Sequence, residues 1–338
     1  MEESMRKFAI VGAMLLLSAG AFSAQQPAVS PDQLKTPPPR EPQWAFPVQA
    51  GTLPTEEGPK KVTGSDKTYT AAEIDNLMAP PDWFPNDHPP APQVVTKGHG
   101  GVLACGSCHL MSGIGHPESA DLAGMPLSYL KQQMMDFKSG MRIDIARMNG
   151  IAKEMSDQEI DEATMWFASL KPRSNQRVVE QDTVPKTIVA QGRMRFADPK
   201  GGTEPIGSRI ITVPEDVNVA RMRDPNTKFV SYAPPGTLAR GKELVETGGA
   251  DKKTAACGTC HGPGLNGLAS IGKTGIAAPR IAGQHPIYLA RELYLFKDGS
   301  RNGMTSKLMA PVVRNLDDAD ILAICAYLAT MDPATGAK

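Results

Sequence analysis

The pentapeptide C-x-x-C-H occurs twice in this chain, as Cys105-Gly-Ser-Cys108-His109 and Cys257-Gly-Thr-Cys260-His261, and each copy holds the same place in a longer repeat. Downstream of the first, LAGMPLSYLKQQMMDFKSGMR matches the IAGQHPIYLARELYLFKDGSR that follows the second. Met148 then stands eight residues before Ser156, and Met309 eight before Asp317, ahead of a last apolar segment in each copy. Self-similarity held over that length predicts two copies of one local fold.

Two thiols separated by two residues on a helical turn can add to the two vinyl groups of one porphyrin, and the adjacent imidazole is then directed at the iron. This is the attachment signature of c-type haem. Zinc ligation and redox disulfides are the competing readings. Zinc ribbons place their cysteine pairs closer in sequence than Cys105 and Cys257, and zinc leaves the His after each pair unexplained. A thioredoxin-like site needs a βαβ setting that neither copy has. The expectation is two covalently bound haem c groups on Cys105, Cys108, Cys257 and Cys260, with His109 and His261 as proximal iron ligands. Met, His, water or substrate at the sixth position would each mean a different function. The matched placement of Met148 and Met309 predicts a thioether on each iron. With 17 methionines in the chain, Met141, Met155 and Met304 stand as alternatives, and Met148 and Met309 would then be core residues.

Residues 1–24 carry Arg6 and Lys7, an apolar run from Phe8 to Leu17, and small residues before Ala24, the pattern of a secretory signal peptide. The run is shorter than a spanning helix needs and no comparable stretch follows, so the mature chain is expected in the periplasm without a transmembrane helix. Residues 25–69 contain nine prolines up to Pro59 and no apolar periodicity, and read as a Pro-rich disordered tether. A first folded unit is expected over 70–172, a second over 237–332, and a short tail over 333–338.

Leu127–Phe137 and Ile287–Phe296 read as amphipathic helices, as does Leu238–Gly248 at the opening of the second unit. The first unit has no comparable opening helix, because VVTKGHGGVLA is too rich in glycine. Ser156 with Glu159, and Thr70 with Glu73, form capping boxes, and Asp317 caps the last helix. The connector 173–236 offers TIVA and RIITV as short strands between Gly- and Pro-rich turns, and no chemical motif.

On the C-x-x-C-H motifs, the M-x-x-[IV]-[AV]-x-x-[LM]-[SD]-D stretches and the aromatic residue of each last helix, each unit resembles a class I c-type cytochrome domain. The pair resembles a dihaem cytochrome of the c4 and c553 type, over roughly half the chain. The resemblance implies a mainly α fold: two class I domains in tandem, joined by a long irregular or short-stranded connector. It also implies that Arg142 and Arg301 pair with haem propionates, that Tyr129 and Tyr288 line the same edge, and that the Pro279 carbonyl accepts the proximal imidazole's N–H. The first unit has Ala120 in that proline's place, which implies a looser or differently tuned proximal side.

Zero formal net charge excludes a general pull toward nucleic acid, and 5% aromatic residues fit cores filled by porphyrin. The odd cysteine, Cys325, takes the place of Thr164 and reads as a small buried residue. His88, His99, His116 and His285 read as surface or loop histidines. The expected function is single-electron transfer between redox-protein donors and acceptors, a dehydrogenase and a terminal oxidase among them. The alternatives are a cytochrome subunit of a periplasmic dehydrogenase, and a dihaem enzyme of the peroxidase or thiosulfate-oxidising type.

Overall fold

The computed structural model describes residues 39–53, 57–144 and 146–333, and the expected signal segment lies outside them. No helix among the described residues is long and apolar enough to cross a membrane.

Both units are helical. In the first, the helix Leu127–Ser139 packs against the last helix, Asp157–Ser169, which opens on the expected capping box: the Ser156 hydroxyl accepts from the Glu159 backbone N–H, and the Glu159 carboxylate accepts from the Ser156 N–H at 2.8 Å. Among the described residues ahead of Cys105 the helices are the short Ala71–Asp75 and Gln93–Thr96, in keeping with the glycine content of 94–104. Val94, Leu130, Met155, Trp166 and Phe167 form the core.

In the second unit the opening helix Thr237–Thr247 lies across the last helix, Asp318–Ala329. Gly241 makes this crossing close, since a Cβ there would stand 2.1 Å from the Ala323 carbonyl oxygen. The last helix is buried along almost its whole length, without the polar face of its first-unit counterpart. The reason is that segments outside the repeat cover it: Trp44, Ala45, Ile210 and Ala233 belong to the same core as Ile321 and Leu328.

Over the described residues 39–53 and 57–69, that burial corrects the expectation of a disordered tether, whose remaining part lies outside the described residues. Trp44 meets Tyr294 edge-on with ring centroids 6.4 Å apart, Leu53 packs with Phe196, and Pro59–Lys60 pairs antiparallel with Tyr69–Thr70. Prolines suppress regular structure, but a few large side chains with apolar partners suffice to fix such a segment. The connector is likewise ordered. Gln176–Glu180 runs parallel to Phe229–Ala233, which pairs antiparallel with Ile211–Pro214, and two small antiparallel pairs flank this sheet.

Candidate haem sites

Each C-x-x-C-H motif turns through one short helix, Gly106–His109 in the first unit and Gly258–His261 in the second. The turn delivers both imidazoles to matched contacts. His109 Nδ1 lies 2.9 Å from the Ala120 carbonyl oxygen, and His261 Nδ1 lies 2.8 Å from that of Pro279. A carbonyl only accepts, so Nδ1 carries the proton in both bonds and Nε2 keeps its lone pair for a metal. Burial holds both imidazoles below their ordinary pKa, in the neutral form that ligation requires. The expectation of a looser proximal contact in the first unit is therefore corrected: the acceptor is a backbone atom, and alanine supplies it as proline does.

Burial also pushes the Cys105 and Cys257 thiols up to about 12, so neither is a thiolate poised for metal binding or disulfide exchange. Among the described residues no three His, Cys, Asp or Glu side chains gather as metal ligands. The zinc reading has no site.

A cavity of about 430 Å³ occupies the first unit. Cys105, Cys108 and His109 line it together with Met148, Met155, Tyr129, Phe137 and Phe167. Met141, the other nearby methionine, is 40% exposed on the surface. In the second unit Met309 and Cys257 pack against the same core, whereas Met304 is 83% exposed.

The two expected arginines and tyrosines converge between the units. Arg142 and Arg301 face each other in an isolated antiparallel bridge. Glu292 takes Arg142 Nη2 at 2.9 Å on one oxygen and Arg301 Nη1 at 2.6 Å on the other. Gln133 Oε1 accepts from the same two guanidiniums at 3.0 and 2.7 Å. Each arginine also donates to the other unit's tyrosine, Arg301 to Tyr129 at 2.9 Å and Arg142 to Tyr288 at 3.3 Å. Burial opposes ionisation of Glu292, but the two guanidiniums outweigh it and hold its carboxyl below the ordinary value.

This network is a fit test for haem. Two buried cations share one carboxylate, and the Nε of both arginines is buried without an acceptor. An orphaned buried donor is costly, and an additional carboxylate beside the network would satisfy it. A mostly apolar cavity behind a C-x-x-C-H turn, bordered by under-neutralised arginine, suits an apolar ring with propionate arms.

Several residues of this interface escaped the sequence reading. Gln133 and Glu292 hold the same repeat position, one turn after the paired tyrosines, and the alignment contained that signal. Asp121 and Arg280 also share a repeat position and form a buried ion pair at 2.8 Å, with Arg280 donating further to the Ala282 and Ala123 carbonyls. Cys325 is fully buried, as expected. The histidines are corrected in part. His88 packs against Trp166 at 5.4 Å, and His285 is fully buried with neither ring nitrogen bonded. Burial pushes His285 down to about 3, so it stays neutral, and it stacks edge-on with Phe229 rather than facing a loop.

The Cytochrome c family profile matches residues 238–332. A cytochrome c-554(548) of Halomonas halodenitrificans is 34% identical over 82 residues, 24% of this chain and 92% of that protein. Cytochrome c4 of Pseudomonas aeruginosa is 26% identical over 236 residues, 69% of this chain and 87% of that protein. A thiosulfate dehydrogenase electron acceptor of Thiomonas intermedia is 26% identical over 230 residues, 68% of this chain and 78% of that protein. The profile covers the second unit, whereas the matches to cytochrome c4 and to the electron acceptor are each longer than either unit and agree with the paired motifs. The chain belongs to the c-type cytochromes, as a two-domain, dihaem electron-transfer protein of the cytochrome c4 kind with two covalently bound haem c groups.

Proposed function

We propose that the chain is a periplasmic electron carrier, not an enzyme, in which His109 with Met148 and His261 with Met309 are the axial ligands of the two haems. Domain boundaries at 70–172 and 237–332 belong to the same reading. The observation that carries it is the recurrence, in both units, of an imidazole fixed through Nδ1 to a backbone carbonyl, with a methionine at the same repeat position behind it. When bound, each haem supplies a one-electron Fe(III)/Fe(II) couple, whose potential thioether ligation raises. The chain's own residues hold that couple still. The carbonyls of Ala120 and Pro279 fix the ring orientation, Leu130, Phe137 and Phe167 help exclude water from the first site, and Met148 and Met309 close the positions a substrate would need. Arg142 and Arg301 would hold haem propionates, and the hydroxyls of Tyr129 and Tyr288 accept from Arg301 and Arg142 and steady them.

The relatives described as thiosulfate dehydrogenase electron acceptors favour a dehydrogenase as donor, with a terminal oxidase downstream. Anaerobic reductive titration of the purified protein tests carrier against enzyme. A carrier takes up two electrons per chain, returns them to an acceptor, and shows no turnover with hydrogen peroxide or thiosulfate alone. Sustained consumption of either would make it an enzyme.

A further inference from the structure

The motifs, tyrosines and paired arginines all belong to the repeat. The connector does not, yet it enters the first cavity. Its turn Gln191–Arg193 carries two consecutive left-handed residues, Gly192 at φ 72° and Arg193 at φ 62°. A non-glycine residue in that conformation persists only where its surroundings hold it. Here they do. The Gln191 side chain accepts from the Leu53 N–H at 3.0 Å and donates to the Leu53 carbonyl at 3.1 Å. Ala190, which accepts from the Arg193 N–H at 2.9 Å, is fully buried in a cluster with Phe196 and Leu53.

On this fixed turn the Arg193 side chain lines the first cavity, in company with Arg147 from the segment just before Met148. Three other arginines of that cavity have carboxylates: Arg142 has Glu292, Arg291 has Glu118 and Arg40 has Asp298. Arg193 has neither a hydrogen bond from its guanidinium nor an ion pair among the described residues. Glu118 feels its charge, but that carboxylate is already held by Arg291. A half-buried cation on a fixed turn at the edge of a largely apolar cavity, next to a second cation and without a counter-ion, is placed to take an anion.

We propose that Arg193 is a haem-binding residue of the first unit, its guanidinium taking a carboxylate of that unit's haem, so that the connector forms part of the site. The planar fork of arginine suits such a carboxylate. The placement has a functional consequence. A fixed cation disfavours the extra positive charge of the ferric state and neutralises a carboxylate that would favour it, so Arg193 raises the reduction potential of the first haem. The connector occurs once in the chain and lies outside the repeat. The two haems are thereby set apart in potential by a residue outside the repeat.

The proposal rests on placing the first haem at Cys105–His109 and Met148, and the experiment separates the two claims. Redox titration of the full dihaem chain is compared for the wild type, Arg193→Gln, Arg193→Lys, the exposed connector control Lys200→Gln and Met148→His, which marks the first haem's step by moving it. Arg193→Gln is expected to lower that same step and leave the other in place, with Arg193→Lys recovering part of the shift and Lys200→Gln moving neither. An Arg193→Gln protein with both steps unmoved, or both moved equally, overturns the proposal. So does a wild-type first step that shifts with added inorganic phosphate while the Arg193→Gln step does not, since the anion would then come from solvent. If Met148→His moves neither step, the placement of the haem fails and the proposal falls with it.

Discussion

In the first unit the ring of His109 meets the carbonyl of Ala120 at 2.9 Å, and in the second the ring of His261 meets that of Pro279 at 2.8 Å. Around these matched contacts the surroundings diverge. A Cβ on Gly106 would meet Met111 Sδ at 2.6 Å, Ser107 is fully buried, and the Arg223 guanidinium of the connector donates to the Ser107 carbonyl. The equivalent Gly258 has only Leu265 at 3.9 Å, and Cys260 is exposed. The first motif is roofed by residues outside the repeat, and the second opens to solvent. Contacts carried by the backbone survive a change of side chain, which is why Ala120 replaces proline without loss. The enclosure is built from segments particular to each unit, and there the copies differ.

The comparison breaks most severely if haem attachment is prevented. Replacing Cys105 and Cys108 by Ala should leave one haem per chain. Without the haem, the mostly apolar wall of the cavity of about 430 Å³ loses its packing partner. The first unit should lose hydrogen-exchange protection over 127–139 and 157–169 while the second keeps its own. Retention of protection in both would mean that the cavity wall does not depend on the cofactor.

A smaller effect is expected at the interface. Asp121→Ala leaves Arg280 buried without its carboxylate and should cost about 3–5 kcal/mol in chemical denaturation. The exchanged pair Asp121→Arg with Arg280→Asp should recover part of that loss, because the two residues hold the same repeat position in facing units. No recovery would contradict the equivalence of the two positions. Gly241→Ala should cost about 1–3 kcal/mol by forcing the crossed helices of the second unit apart. The first unit has no such crossing, so the loss should be confined to the second unit's unfolding transition.

The mildest test concerns the caps. Burial would raise Glu159, but the backbone N–H and hydroxyl of Ser156, together with His99, hold it below its ordinary value. The Asp320 backbone N–H and then Lys253 do the same for Asp317. Carboxyls with depressed folded-state pKa values stabilise above their unfolded values, and that contribution is lost as pH falls through the depressed ones, so both units should weaken below about pH 4. Ser156→Ala and Asp317→Ala should each cost about 1 kcal/mol. An acid transition unaffected by either variant would remove the caps from the account.

What the chain declared in its sequence is what it repeats. Both motifs, the helices Leu127–Ser139 and Pro286–Lys297, and the capped last helices were legible because two copies of one pattern constrain each other. The ordered stretch 39–53 was not, since Trp44 and Ala45 are anchored by residues more than 200 positions away and show no periodicity of their own. The parallel pairing of Gln176–Glu180 with Phe229–Ala233 has the same cause. His285 looked like a loop residue because nothing in a sequence distinguishes a neutral buried imidazole from a solvated one. Arg193 carried no signal at all, for its meaning depends on a turn held by Gln191 and Leu53.

The central claim is one His/Met iron site in each unit. The weak far-red charge-transfer band of ferric haem ligated by a thioether tests it most directly in the intact oxidised protein. Met148→Ala and Met309→Ala should each remove about half of its intensity, and the double variant all of it, with both haems still covalently attached. A band unchanged by either single variant, or wholly removed by one of them, would contradict the account.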